Sequence, residues 1–160
     1  MNVQIFAVGG TIDKIYFDAA SEFKVGEPQI GELLHEANVT FHYQVESLMR
    51  KDSLEMDDAD RQHIREAVEA CDCERILITH GTDTMADTAR ALVGVTGKTV
   101  VLTGAMQPAR LRVSDAIFNI GFAIGALQQL EPGIYVAMNG QVFDPENLKK
   151  NRSEHRFEVG

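Results

Sequence analysis

Short apolar runs alternate along this chain with stretches of helical spacing. Four runs stand out: VQIFAV (3–8), RILIT (75–79), TVVLT (99–103) and IYVAM (134–138). They are continuous rather than alternating, as expected for parallel strands covered on both faces. Between them, DDADRQHIREAVEACD (57–72) opens with acids suited to a helix amino terminus and brings Ile64, Ala67, Val68 and Cys71 to one side. DTMADTARALVGV (83–95) does the same with Met85, Thr88, Ala89 and Leu92. VSDAIFNIGFAIGALQQL (113–130) can be capped by Ser114 or Asp115 and is apolar enough to lie between a sheet and another surface. This order predicts one α/β domain over residues 1–160, with a mostly parallel sheet and helices on both faces. The segment 14–30 has neither period and reads as a hairpin or an irregular connection.

Composition narrows the partners. A net charge of −9 and a pI near 4.9 argue against nucleic acid or an anionic membrane surface. They are compatible with a small substrate carrying its own positive group. Cys71 and Cys73 are too few for a structural zinc, so ordinary reduced thiols and no metal are expected. The amino terminus reads as a first strand instead of a signal peptide, and no apolar run approaches the ~20 residues of a membrane span. The expected location is the cytoplasm.

Each predicted strand ends in small or polar residues: Gly9-Gly10-Thr11, Thr79-His80-Gly81-Thr82-Asp83, Thr103-Gly104-Ala105 and Asn139-Gly140. Ligands of open parallel sheets bind outside these carboxyl ends, so Thr11, Thr82 and Asp83 are expected to converge. Neither G-x-G-x-x-G nor G-x-x-x-x-G-K-[ST] is present, which leaves a nucleotide cofactor unsupported. A threonine hydroxyl becomes a useful nucleophile only when a base takes its proton and oriented donors hold the oxyanion. Candidates for the base are His80, Asp83 or a lysine, with His80 reading first as a structural residue. Asp83 could instead bind the ammonium of an amino acid.

Six motifs in a fixed order give the chain a resemblance to the bacterial-type asparaginases, the asparaginase/glutaminase family. They are GGTID (9–13), DSLEM (52–56), THGTDTMADTA (79–89), VVLTGAMQP (100–108), SDAIFNI (114–120) and MNGQVFDPENLKKN (138–151). The resemblance implies the N-terminal, Rossmann/flavodoxin-like domain of that family and hydrolysis of L-asparagine to L-aspartate and ammonia through a threonine acyl-enzyme, without a cofactor. It implies Thr11 as nucleophile and a proton-relay group of Thr82, Asp83 and Lys150, with Lys149 adjacent. Tyr16 stands in for a loop tyrosine, since Phe23 occupies roughly the position where larger relatives carry theirs. Ser53 matches a serine that holds the substrate carboxylate, and Gly10, Leu54, Gly81 and Ala105 join Thr82 and Asp83 as expected substrate contacts. Leu54 and Glu55 replace the Gln and Asp of many relatives, so carboxylate contacts are expected to differ.

Those relatives are about twice as long and carry a second domain. The expectation here is either a short form with no C-terminal domain or a fragment of a longer chain, self-associating as a homodimer or homotetramer through the apolar helix of 117–130. Two competing functions remain: an amidohydrolase for glutamine or another small amide, such as that of an aminoacyl-tRNA, and a non-catalytic asparagine- or aspartate-binding module.

Overall fold

The structure, a computed structural model, describes residues 1–17 and 22–160. Its main sheet has six strands in the order β4-β1-β5-β6-β7-β8. These are β1 (Asn2–Gly9), β4 (His42–Lys51), β5 (Arg75–Thr79), β6 (Thr99–Thr103), β7 (Gly133–Met138) and β8 (Gln141–Phe143). The first five are parallel, and β8 folds back antiparallel on β7. Counted in chain order, the parallel strands run 2-1-3-4-5, the flavodoxin-like winding. Its reversal point lies between β1 and β5. Both Gly-Thr segments leave the sheet there.

The alternation of side chains along each strand divides the core into two layers. On one face Phe6, Ile76, Ile78, Val100, Leu102 and Val136 pack under α2 (Asp58–Ala70) and α3 (Met85–Leu92). On the other, Ile5, Leu77, Val101 and Ala137 pack under α1 (Ile30–Glu36) and α4 (Ala116–Gln129). The predicted stripes face the core: in α2 Ile64 and Val68 are buried while Ala67 and Cys71 are only partly so, and in α3 Met85, Thr88, Ala89 and Leu92 are all buried. Asp57 caps α2 by a reciprocal box with Asp60, accepting from its N–H at 2.9 Å and placing Asp60 to accept in return at 3.1 Å.

Two elements carry no signal in the apolar runs. α1 is only seven residues long and buries just Ile30 and Leu34. β4, HYQVESLMRK, is an edge strand with most side chains exposed, so its sequence is mixed and not continuously apolar. Outside the main sheet, β2 (Lys14–Phe17) and β3 (Glu22–Val25) form an antiparallel hairpin within the segment read as a hairpin or irregular connection, of which residues 18–21 lie outside the described residues. A second hairpin joins β9 (Leu148–Asn151) to β10 (Arg156–Val159). Of the two proposed caps of α4, Ser114 accepts from the Ala116 N–H at 3.1 Å, whereas Asp115 turns away and accepts from Met106 and Gln107 N–H groups at 2.9–3.0 Å. α4 also leaves Ile117 and Phe118 exposed on its outer side.

Candidate active site

Backbone contact brings the ends of β1 and β5 together. Gly10 has φ +88°, and a Cβ there would run into the backbone of Gly81. A Cβ on Gly81 would in turn lie 2.7 Å from Ser53 Oγ, in the 3-10 turn Ser53–Glu55. Ser53 is buried, and its carbonyl accepts from Thr84 Oγ1 at 2.8 Å. The two Gly-Thr segments and the DSLEM turn are therefore one cluster, packed at a distance that only hydrogen side chains permit.

Into this cluster β9 brings a lysine. Lys150 Nζ donates to Thr82 Oγ1 at 2.8 Å and to Asp83 Oδ1 at 2.9 Å. Alternation along β9 leaves Lys149 exposed. Thr82 is buried, and the Lys150 side chain is only 16% exposed, so the group is largely shielded from solvent. Arg152 Nη2 also lies 3.5 Å from Asp83 Oδ1. Lys14 pairs with Asp52 at 3.2 Å and ties the β2–β3 hairpin to the DSLEM turn. Partial burial pushes the Asp52 carboxyl up, but the Leu54 N–H and Lys14, helped by Lys150, hold it below its ordinary value.

The other expected residues fall into place unevenly. Thr11 is half-buried at the head of the 3-10 turn Thr11–Asp13, directly after β1. Leu54 is exposed, while Ala105 is fully buried in the core layer that also holds Ile12. The Gly10 N–H is committed to the Lys51 carbonyl at 2.9 Å, where β1 shifts register against β4. Tyr16 is exposed and sits opposite Phe23 in the hairpin, edge-on to it at 5.6 Å. It makes no hydrogen bond with Thr11 among the described residues. Sequence reasoning missed Lys14, Asp52 and Arg152, whose pairings join distant positions and leave no local pattern.

Two buried groups set the pH response of this region. His80 Nδ1 lies 2.6 Å from the Gly81 carbonyl, which can only accept, so Nδ1 carries the proton and Nε2 accepts from Thr88 Oγ1 at 2.7 Å. Burial pushes its pKa down from 6.5 to about 4, consistent with a structural, neutral histidine. Asp13 accepts from the Gln29 N–H at 3.0 Å, but burial outweighs that bond and the charge of Arg50, raising its pKa from 3.8 to about 7. His80 takes up a proton only on unfolding and so costs stability as pH falls from 6.5 towards about 4. Asp13 loses a proton only on unfolding and so costs stability as pH rises from 3.8 towards about 7. Across the shared window the two slopes oppose. Asp13→Asn is expected to unmask the histidine slope, with stability rising from about pH 4 to about pH 6.5, and to gain on the order of 3 kcal/mol over the parent at about pH 8. Urea denaturation at graded pH measures both, and a variant whose profile matches the parent's would refute the Asp13 assignment.

Known proteins share this fold. The family model "Asparaginase, N-terminal" matches residues 2–158. The chain is 30% identical over 167 residues to the "Glutaminase-asparaginase" of Pseudomonas fluorescens biotype A, covering 93% of this chain and 45% of that protein. It is 31% identical over 160 residues to the "Probable L-asparaginase periplasmic" of Haemophilus influenzae, covering 93% and 46%. The solved thermostable L-asparaginase from Thermococcus kodakarensis superposes with a TM-score of 0.85 at 26% identity, over 99% of this chain and 51% of that one. The chain thus spans about half the length of the relatives it matches. With the match running through nearly every residue and the fold superposing throughout, this chain belongs to the asparaginase family and corresponds to its N-terminal part.

Proposed function

We propose that this chain carries the hydrolytic site for the side-chain amide of L-asparagine, releasing L-aspartate and ammonia through a threonine acyl-enzyme. The observation that carries the reading is the Lys150–Thr82–Asp83 hydrogen-bond group at the sheet's reversal point. In its amine form Lys150 can accept the Thr82 hydroxyl proton along the 2.8 Å contact, and Asp83 then stabilises the ammonium that results. Thr82, having given its proton to Lys150, takes the hydroxyl proton of Thr11 as the Thr11 oxygen attacks the amide carbon. That proton passes from Thr82 to the nitrogen as the C–N bond breaks and ammonia leaves. Water, deprotonated by the Lys150 group, later hydrolyses the ester to free aspartate and restore Thr11. Tyr16, carried with Thr11 on the segment after β1, is the assisting phenol of this reading. Ser53, Leu54, Gly10, Gly81 and Ala105 surround the substrate. Self-association as a homodimer or homotetramer belongs to the same proposal, supported by the exposed Ile117 and Phe118 of the uncharged helix α4.

The test incubates the purified chain with L-asparagine or L-glutamine and follows ammonia, with hydroxylamine competing against water. Ammonia from asparagine together with aspartyl hydroxamate supports the acyl-enzyme. Ammonia without hydroxamate assigns attack to water directly. A folded chain that binds asparagine without releasing ammonia is a binding module, and faster release from glutamine reassigns the substrate.

A further inference from the structure

Gln29 is a buried polar residue that the relay group leaves without a role. It occupies the N-cap position of α1, where a short polar side chain would satisfy a free helix N–H, yet its side chain makes no capping bond. Its N–H and both ends of its amide turn elsewhere. The N–H donates to Asp13 Oδ1 at 3.0 Å, Nε2 donates to the Glu27 carbonyl at 2.9 Å, and Oε1 accepts from Arg110 Nε at 2.8 Å. Next to Arg110, the Ala109 N–H donates to the Ile12 carbonyl at 3.1 Å. Ile12 adjoins Asp13 and Ala109 adjoins Arg110, so these bonds close a ring that runs Ile12, Asp13, Gln29, Arg110, Ala109 and back to Ile12.

Two of the ring's members complete the 3-10 turn that Thr11 opens. Its far side is fastened to the core, because Asp115 at the head of α4 accepts from the Met106 and Gln107 N–H groups at 2.9–3.0 Å and so fixes the loop before Ala109. A buried amide is retained only where hydrogen bonds offset its desolvation, and Arg110 supplies one of them. The Arg110–Gln29 bond is also the link made wholly by side chains, so a substitution opens it without touching the backbone. We propose that Gln29 and Arg110 are positioning residues, which through this ring hold the Thr11 turn at the distance from Thr82 and Asp83 that attack requires. This deepens the hydrolase reading above and rests on it. Displacing a reacting group by about 1 Å costs on the order of a hundredfold in rate, so a small slackening of the turn is enough to be measured.

The experiment follows ammonia release from L-asparagine by the parent chain, Gln29→Met, Arg110→Met, the double variant and Arg110→Lys. Methionine keeps the stem of either side chain and leaves the residue 29 N–H on Asp13. Each single variant is expected to lower kcat about tenfold while KM stays within about threefold, because the attacking group is displaced and the bound substrate is not. The double variant should be no slower than Gln29→Met, since both changes open one bond. Arg110→Lys recovers part of the loss, its ammonium reaching the same amide oxygen. An unchanged kcat, a loss confined to KM, or losses that multiply in the double variant overturns the proposal. Should Gln29→Met fail to fold, Arg110→Met against Arg110→Lys decides, since Arg110 is exposed. If the parent releases no ammonia, the hydrolase reading falls and the ring is judged by hydrogen exchange at the Ala109 N–H. Exchange about tenfold faster in Arg110→Met than in the parent then supports the ring, and an unchanged rate overturns it.

Discussion

Thr82→Val is expected to lower ammonia release from L-asparagine by about a thousandfold or more, and Lys150→Met by as much. Valine keeps the shape of the buried threonine and removes only the hydroxyl that Lys150 Nζ meets at 2.8 Å. Methionine keeps the stem of the lysine and removes the nitrogen that joins Thr82 to Asp83. The two act as one unit, so the double variant should be no slower than either single variant, as for other catalytic groups that share a proton. Thr11→Val should be equally inactive for a different reason, the loss of the attacking oxygen, and should also lose the hydroxamate product. Thermal unfolding of each variant separates lost chemistry from lost fold. A Thr82→Val chain keeping more than about a tenth of the parent rate would remove Thr82 from the mechanism.

How much of this was legible depends on what each residue faces. The interior strands β1, β5, β6 and β7 are covered on both sides, and that constraint writes continuous apolar runs into the sequence. β4 is half of the reversal in strand order but lies at the edge, and an edge strand need not be apolar. The short strands β8, β9 and β10 are set by tertiary contacts such as Phe143 against Phe157, which local periodicity does not encode.

The candidate site divides in the same way. Thr11, Thr82 and Asp83 follow strand ends with glycines beside them, so topology alone predicts that they converge. Lys150 reads as solvated charge until β9 turns it inward onto Thr82, and only the resemblance lifted it above Lys149. Asp13 and His80 look polar in sequence, yet both are buried, each held by one or two specific hydrogen bonds. Arg152 gains its place from a pairing across 69 positions with Asp83, which no window of sequence contains.

Gly10→Ala should be among the most damaging single-methyl changes in the chain, because two independent penalties fall on one atom. The first is conformational: φ +88° with ψ −178° is a region that only glycine enters freely, and forcing alanine there costs about 1–3 kcal/mol. The second is steric: the new Cβ would meet the Gly81 backbone, which cannot rotate away as a side chain could. Gly81 cannot retreat either, since Ser53 backs it at 2.6–2.7 Å from its own Cβ direction. The strain would therefore be relieved by spreading β1 from β5, which moves Thr11 away from Thr82 and Asp83. Gly97→Ala isolates the first penalty, having φ +72° but nothing within 4 Å of the added carbon. Chemical denaturation should show Gly97→Ala destabilised by about 1 kcal/mol and Gly10→Ala by about 4 kcal/mol or more. Ammonia release should survive the former and be lost in the latter, even at temperatures where Gly10→Ala remains folded. Equal destabilisation of the two variants, with turnover retained in Gly10→Ala, would mean that the contact between the two strand ends does not set the distance between the threonines.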